Sequence, residues 1–199
     1  MACYEASGRT ESAYPRRRRA YQTGLSLLAL VLCAGSLAVL GCGRGGDDGE
    51  QRRANLTGAQ EVPPTTSAAT GTVTFNINEA RTQIDFTLNI TTALPNIRES
   101  HIHVAPLGVN GPIVLDFCTT SLVTPPTGVP LPPTCPTAPF TLTGSLTAAN
   151  LRTITPTITA AGVNNFADAV SNILSGNAYA NVHTTAFPGG EIRGQIVVP

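Results

Sequence analysis

The feature that most limits this chain is a two-residue alternation of apolar and polar side chains. Val73, Phe75 and Ile77 alternate with polar residues, and so do Ile84, Phe86, Leu88 and Ile90. Period two places each set on one face of a strand, so both segments belong in an antiparallel sheet covered on one side. Residues 78–81 between them have the length of a hairpin connection. Further strand candidates lie at 55–60, 100–105, 113–117, 140–146, 178–184 and 191–198, separated by Pro63-Pro64, Gly111-Pro112 and Pro188-Gly189-Gly190. Two short helical pieces interrupt them. Thr147 can cap a turn or two over 147–151. Asn164 or Asn165 can cap a helix over 165–175, with Phe166, Val170, Ile173 and Leu174 on one face and Gly176 as its stop. This pattern predicts an all-β fold, a Greek-key immunoglobulin-like β-sandwich or barrel of about seven to nine strands with one or two short helices.

The first 53 residues do not share the alternation. Four Arg at 16–19 precede an uncharged run of Leu, Ala, Val, Gly, Ser and one Cys over 25–40. That run is short for a membrane span and long enough for a signal-peptide core. It ends in Val39-Leu40-Gly41-Cys42, which resembles a bacterial lipobox, where the Cys is diacylated and becomes the first mature residue. Residues 1–41 therefore read as a lipoprotein signal peptide, Cys42 as the lipidation site, 42–53 as a flexible Gly-rich tether and 54–199 as the domain. An exported protein anchored to the membrane of the cell envelope is expected, on its periplasmic or extracellular face.

Charge removes some partners. The whole chain is neutral, but five Arg and two acids precede Cys42, leaving seven Arg against ten acids beyond it. A nucleic-acid binder would show a clustered basic surface, so no nucleic-acid partner is expected. Charged residues are 12%, about half the usual share. Absence of Trp and 5% aromatics also disfavour a sugar-stacking platform.

Of five Cys, Cys118 and Cys135 are the pair inside the domain. An even pair in an exported protein reads as a disulfide. The loop between them is rich in Pro, and closing it contributes about 3 kcal/mol in the chain-entropy picture.

All three His fall in two strand candidates: His101 and His103 as H-x-H, and His183 in Asn181-Val182-His183-Thr184. Alternation sets His101 and His103 on one face about 7 Å apart, with Ile102 opposite. If the two strands are neighbours, three imidazoles converge, and neutral imidazole suits copper or zinc. The competing reading is a structural one, with each ring buried and hydrogen-bonded to a loop. Glu191 and Arg193 alternate on the last strand and read as an ion pair or polar outer face, or as a group that orients a His. No Ser-His-Asp order, phosphate loop or paired-carboxylate motif stands out, so no catalytic residue is assigned.

Leu56-Thr57-Gly58-Ala59-Gln60-Glu61-Val62-Pro63-Pro64 and Ala69-Thr70-Gly71-Thr72 resemble the opening of the CHRD (chordin) domain. His101-Ile102-His103-Val104-Ala105 with Gly108-Val109-Asn110-Gly111-Pro112 resembles its central motif. Asn181-Val182-His183-Thr184 and Gly189-Gly190-Glu191-Ile192-Arg193-Gly194-Gln195 resemble its close. The likeness spans about residues 54–197 in family order, and singles out Glu61, Asn110, Asn181, Glu191 and Arg193 as its polar positions. It implies an immunoglobulin-like barrel distantly similar to copper,zinc superoxide dismutase, which also carries H-x-H on a strand. With three His the chain cannot assemble that enzyme's dinuclear site. The first expectation is a non-enzymatic binding or structural module of the cell envelope. The second is a small envelope metalloprotein holding one copper or zinc ion through His101, His103 and His183, for storage or redox protection. No protein or small-ligand partner can be named from the sequence.

Overall fold

The structure is a computed structural model that describes residues 49–199 apart from 125 and 126. The signal reading over 1–41, the lipidation site Cys42 and tether residues 43–48 lie outside the described residues. The strands are β1 (Glu50–Thr57), β2 (Thr70–Ile77), β3 (Gln83–Ile90), β4 (Ile97–Val104), β5 (Ile113–Thr119), β6 (Phe140–Thr147), β7 (Ala178–Thr184) and β8 (Ile192–Gln195). Two helices, α1 (Pro156–Ala160) and α2 (Phe166–Leu174), lie between β6 and β7.

The strands form one sheet in the order β5-β4-β7-β8-β1-β2-β3-β6. Every pairing between them is antiparallel. Consecutive β3 and β4 lie far apart in that order, so their connection crosses over in the Greek-key manner, whereas β5 and β6 are the two edge strands. The sheet curls until its halves share one core. Phe117 on β5 meets Phe75 on β2 and Phe86 on β3, with ring centroids 6.1 and 4.7 Å apart. Edge strands β5 and β6 both border a cavity of about 90 Å³ that the Pro-rich residues 129–133 also line. The result is a nearly closed all-β barrel, as the alternation implied.

β2 and β3 keep the predicted pattern. Val73, Ile77, Ile84, Leu88 and Ile90 are fully buried, while Thr74, Asn76 and Asp85 face solvent. β4 and β7 behave differently. β7 is buried along its whole length, and so is the end of β4. One face carries Ile102, Val104, Ala180 and Val182 into the core. The other carries polar residues that loops roof over, and the candidate site lies there.

Several boundaries differ from the sequence reading: β4 begins at Ile97 instead of Ser100, β5 runs on to Thr119, and β8 ends at Gln195 instead of Val198. β1 begins at Glu50, so Glu50, Gln51, Arg52 and Arg53 belong to the sheet and not to the tether. Arg52 reaches the end of α2, where its guanidinium donates to the Leu174 carbonyl at 2.9 and 3.2 Å. Residues 58–60 form a single 3-10 turn instead of extending the strand. α1 was not anticipated, although Thr155 caps it by accepting from the Ile158 N–H and Pro156 opens it. α2 starts as expected, with the Asn165 side chain accepting from Asp168 N–H at 3.0 Å. The turn after Thr147 closes as a capping box with Asn150.

Cys118 and Cys135 form the disulfide, 17 residues apart. It belongs to a cover over the β5 edge: Thr119 bridges to Thr134, and Leu115 bridges to Leu151. Such cover at both ends shortens the ladder that the edge could offer to another chain.

Candidate metal centre

β4 and β7 are immediate neighbours, which the sequence could not reveal. Their register sets Glu99 opposite His183, His101 opposite Asn181 and His103 opposite Tyr179. All six side chains therefore project from one face. On the other side of β4, the ladder to β5 slips both before and after the His101–Ile102 step. Such bulges twist a strand and re-aim its side chains.

The three imidazoles converge. Ring centroids lie 4.5 Å apart for His101–His183, 4.7 Å for His101–His103 and 6.1 Å for His103–His183. One nitrogen from each can be chosen so that all three lie within 4.8 Å of one another. All three residues are buried. His103 Nδ1 lies 2.7 Å from the Gly111 carbonyl and His183 Nδ1 lies 3.0 Å from the Pro188 carbonyl. A carbonyl can only accept, so each Nδ1 carries the proton. In the neutral ring Nε2 then bears the lone pair, and neither Nε2 has a hydrogen-bond partner. His101 has no partner on either nitrogen. Its Nε2 faces Glu99 Oε2 at 3.6 Å, beyond hydrogen-bond length.

The rings are held neutral at pH 7. Burial, then the charges of His183 and Arg152, keep His101 well below the usual imidazole range. Burial and the neighbouring His101 do the same to His103. Burial also lowers His183, against the opposing pull of its bond to Pro188. Three buried, neutral imidazoles with one nitrogen from each within 4.8 Å of the others offer the donor set that a metal ion requires. The two Nδ1–H···O=C bonds also match the way ligating imidazoles are oriented by backbone carbonyls. His103 and His183 thus meet the structural reading, each buried and bonded to a loop carbonyl, but a second nitrogen on each and both nitrogens of His101 have no protein partner. Each such orphan costs about 1–3 kcal/mol if nothing fills it.

Around this cluster lie groups that the sequence reading did and did not single out. Arg193 is nearly inaccessible, at 1% exposure. It makes no ion pair with Glu191, contrary to that expectation. Its guanidinium lies 3.8 Å over the Tyr179 ring and donates to Asn110 Oδ1 at 2.8 Å and Val109 O at 3.1 Å. Tyr179 in turn stacks on His103, with centroids 4.6 Å apart and planes 5° from parallel. Glu191 instead accepts from the hydroxyls of Ser67 and Thr184. Neither orients a His directly; the carbonyls of Gly111 and Pro188 do. Asn110 ties the loop before β5 to the Val62 carbonyl. Glu61 is buried beside Asn181, and burial pushes its carboxyl from 4.5 to about 7, against the pull of Arg193 and Asn181. Glu99, Asp116, Arg152 and Tyr179 were not singled out as site residues. Arg152 holds buried Asp116 through one guanidinium edge, Nε donating to Oδ2 and Nη2 to Oδ1, and lies 4.0 Å from Glu99. Period two was the available signal: Glu99 stands two residues before His101, and Tyr179 four before His183.

The family model described as the CHRD domain matches residues 52–196. The chain belongs to the CHRD family. The match runs from β1 through β8 and takes in all three His, Glu61, Asn110, Asn181, Glu191 and Arg193. No curated protein and no solved structure matches it significantly. The loops that roof the imidazoles are thus part of the CHRD domain itself.

Proposed function

We propose that this CHRD-domain protein is a binding module whose ligand is a metal ion. His101, His103 and His183 hold one copper or zinc ion, each through an imidazole nitrogen. The observation that carries the reading is the set of three buried imidazoles, with two tautomers fixed by backbone carbonyls and the facing nitrogens unpartnered. An enclosed His site of this kind suits storage or redox protection more than open-site hydrolysis. The module is exported and lipid-anchored at Cys42 in the cell envelope, a placement supported by the uncharged run over 25–40 and the Cys that ends it.

The test is a titration of the purified, untagged protein with Cu(II) and Zn(II) in competition with a chromophoric chelator. One ion per chain should bind with a Kd tighter than about 10 μM, and His103→Ala should abolish it. Absence of stoichiometric binding by both metals, or binding unchanged in the variant, would rule the reading out.

A further inference from the structure

A second ligand site lies outside the imidazole cluster. A cleft of about 550 Å³ opens between the loop after β1 and the loop joining β7 to β8. Val62, Pro63 and Pro64 form one wall, and Phe187 and Pro188 the other. Glu61 lines it while remaining only 5% exposed, and its Oε1 has no hydrogen-bond partner. Gly190 packs so closely on this carboxyl that a Cβ there would lie 2.7 Å from Oε1. The nearest cation does not satisfy it. Arg193 donates to Asn110 and Val109 and lays its face on Tyr179, and makes no hydrogen bond to the Glu61 carboxylate. Nor can the chain supply an ammonium side chain, because it contains no Lys.

A buried carboxylate bordering a cleft walled by Pro and Phe calls for a donor carried on an apolar stem. We propose that this cleft binds a primary alkylammonium group, with the nitrogen on Glu61 and the stem between the proline and phenylalanine walls. An ammonium is a compact donor that suits a single free oxygen, whereas a guanidinium fork needs two parallel acceptors. The group can arrive as a free alkylamine or as a lysyl side chain of a peptide. The site requires no metal, so its failure and the failure of the metal reading are separate events.

The experiment is a two-dimensional amide NMR titration of chelator-treated protein with cadaverine, with an acetylated Gly-Lys-Gly amide, and with 1,5-pentanediol as the neutral control. Saturable shifts should appear at residues 61–66, 110 and 186–190 with at least one amine and not with the diol. Cadaverine alone would identify a free amine as the ligand, and the peptide alone a lysyl side chain. Glu61→Gln should weaken binding at least about tenfold. Should that variant not fold, the wild type decides. Binding should weaken about tenfold from pH 8 to pH 6 as the carboxyl takes up its proton. The charged and titratable groups around it are Arg193, Tyr179 and His183; burial raises Tyr179, which stays neutral over that range, and lowers His183. Shifts elsewhere on the surface, equal binding of the diol, or no binding of either amine would overturn the proposal.

Discussion

Glu61 gives the site a pH signature with a definite sign. Its carboxyl is raised from 4.5 to about 7 by burial. The folded state therefore holds the proton more tightly than the unfolded chain. Stability from this group is fully present below pH 4.5 and is lost as pH rises through about 7. The three His act in the opposite sense. Their folded values are lowered, so the unfolded chain takes up protons first and stability falls as pH drops below about 6.5. Glu61→Gln removes the first contribution and leaves the second. Urea midpoints of the metal-free protein from pH 5 to pH 8 should show the wild type losing ground to the variant up to about pH 7 and no further above it. A variant that instead loses ground to the wild type at high pH would indicate a Glu61–Arg193 ion pair in place of a desolvated acid. At this scale the sequence was informative about His101, His103 and His183, because alternation fixes which face a strand residue takes. It was silent on their burial, because the covering of that face depends on loops that fold back over it, one reaching His103 through Gly111 and one reaching His183 through Pro188. Arg193 shows the same difficulty: an alternating charge on a final strand reads as solvated until Tyr179 and Asn110 are found around it.

Among the elements, the β5 edge and the β7–β8 connection bear the sharpest expectations. The Cys118–Cys135 bridge closes 17 residues against that edge. Its removal by paired Cys→Ser substitution should lower the free energy of unfolding by about 3 kcal/mol, read from denaturant midpoints under non-reducing conditions. Gly190 has a positive φ of 126°, where an L side chain is strained, and its missing Cβ would also meet Asn181 Nδ2 at 2.7 Å. Gly190→Ala should therefore cost about 1–3 kcal/mol and disturb the roof over the cluster. The strands themselves were readable to within a few residues because their patterns and turn residues agree. β1 is the exception. Glu50, Gln51, Arg52 and Arg53 have the composition of a linker, yet they pair residue by residue with β2, and Arg52 is anchored by the end of α2. Pairing with an established strand overrode local propensity there. α1 escaped notice because five residues are too few for an apolar period to register.

For the whole molecule, the order of the strands converts a sequence pattern into a site. An H-x-H on β4 becomes a three-imidazole cluster because β7, distant in sequence, is its direct neighbour. Chain order does not encode that adjacency, and the family likeness gave only a general expectation of a barrel. Delivery to the envelope is a separate proposal with its own test. Beyond Cys42 the chain carries seven Arg against ten acids, a poor surface for anionic lipid, so attachment would rest on acyl chains. Globomycin should leave an unprocessed precursor, and Cys42→Ala should release or misprocess the protein. Membrane association unchanged by the substitution would contradict the anchor. The proposed metal site is best tested by long-range imidazole ¹⁵N correlation spectra of the untagged protein before and after one equivalent of Zn(II). We expect His103 and His183 to begin as neutral rings protonated at Nδ1, and both Nε2 resonances to shift together and saturate at one equivalent. Rings found as the opposite tautomer, or Nε2 signals that do not move, would contradict the account.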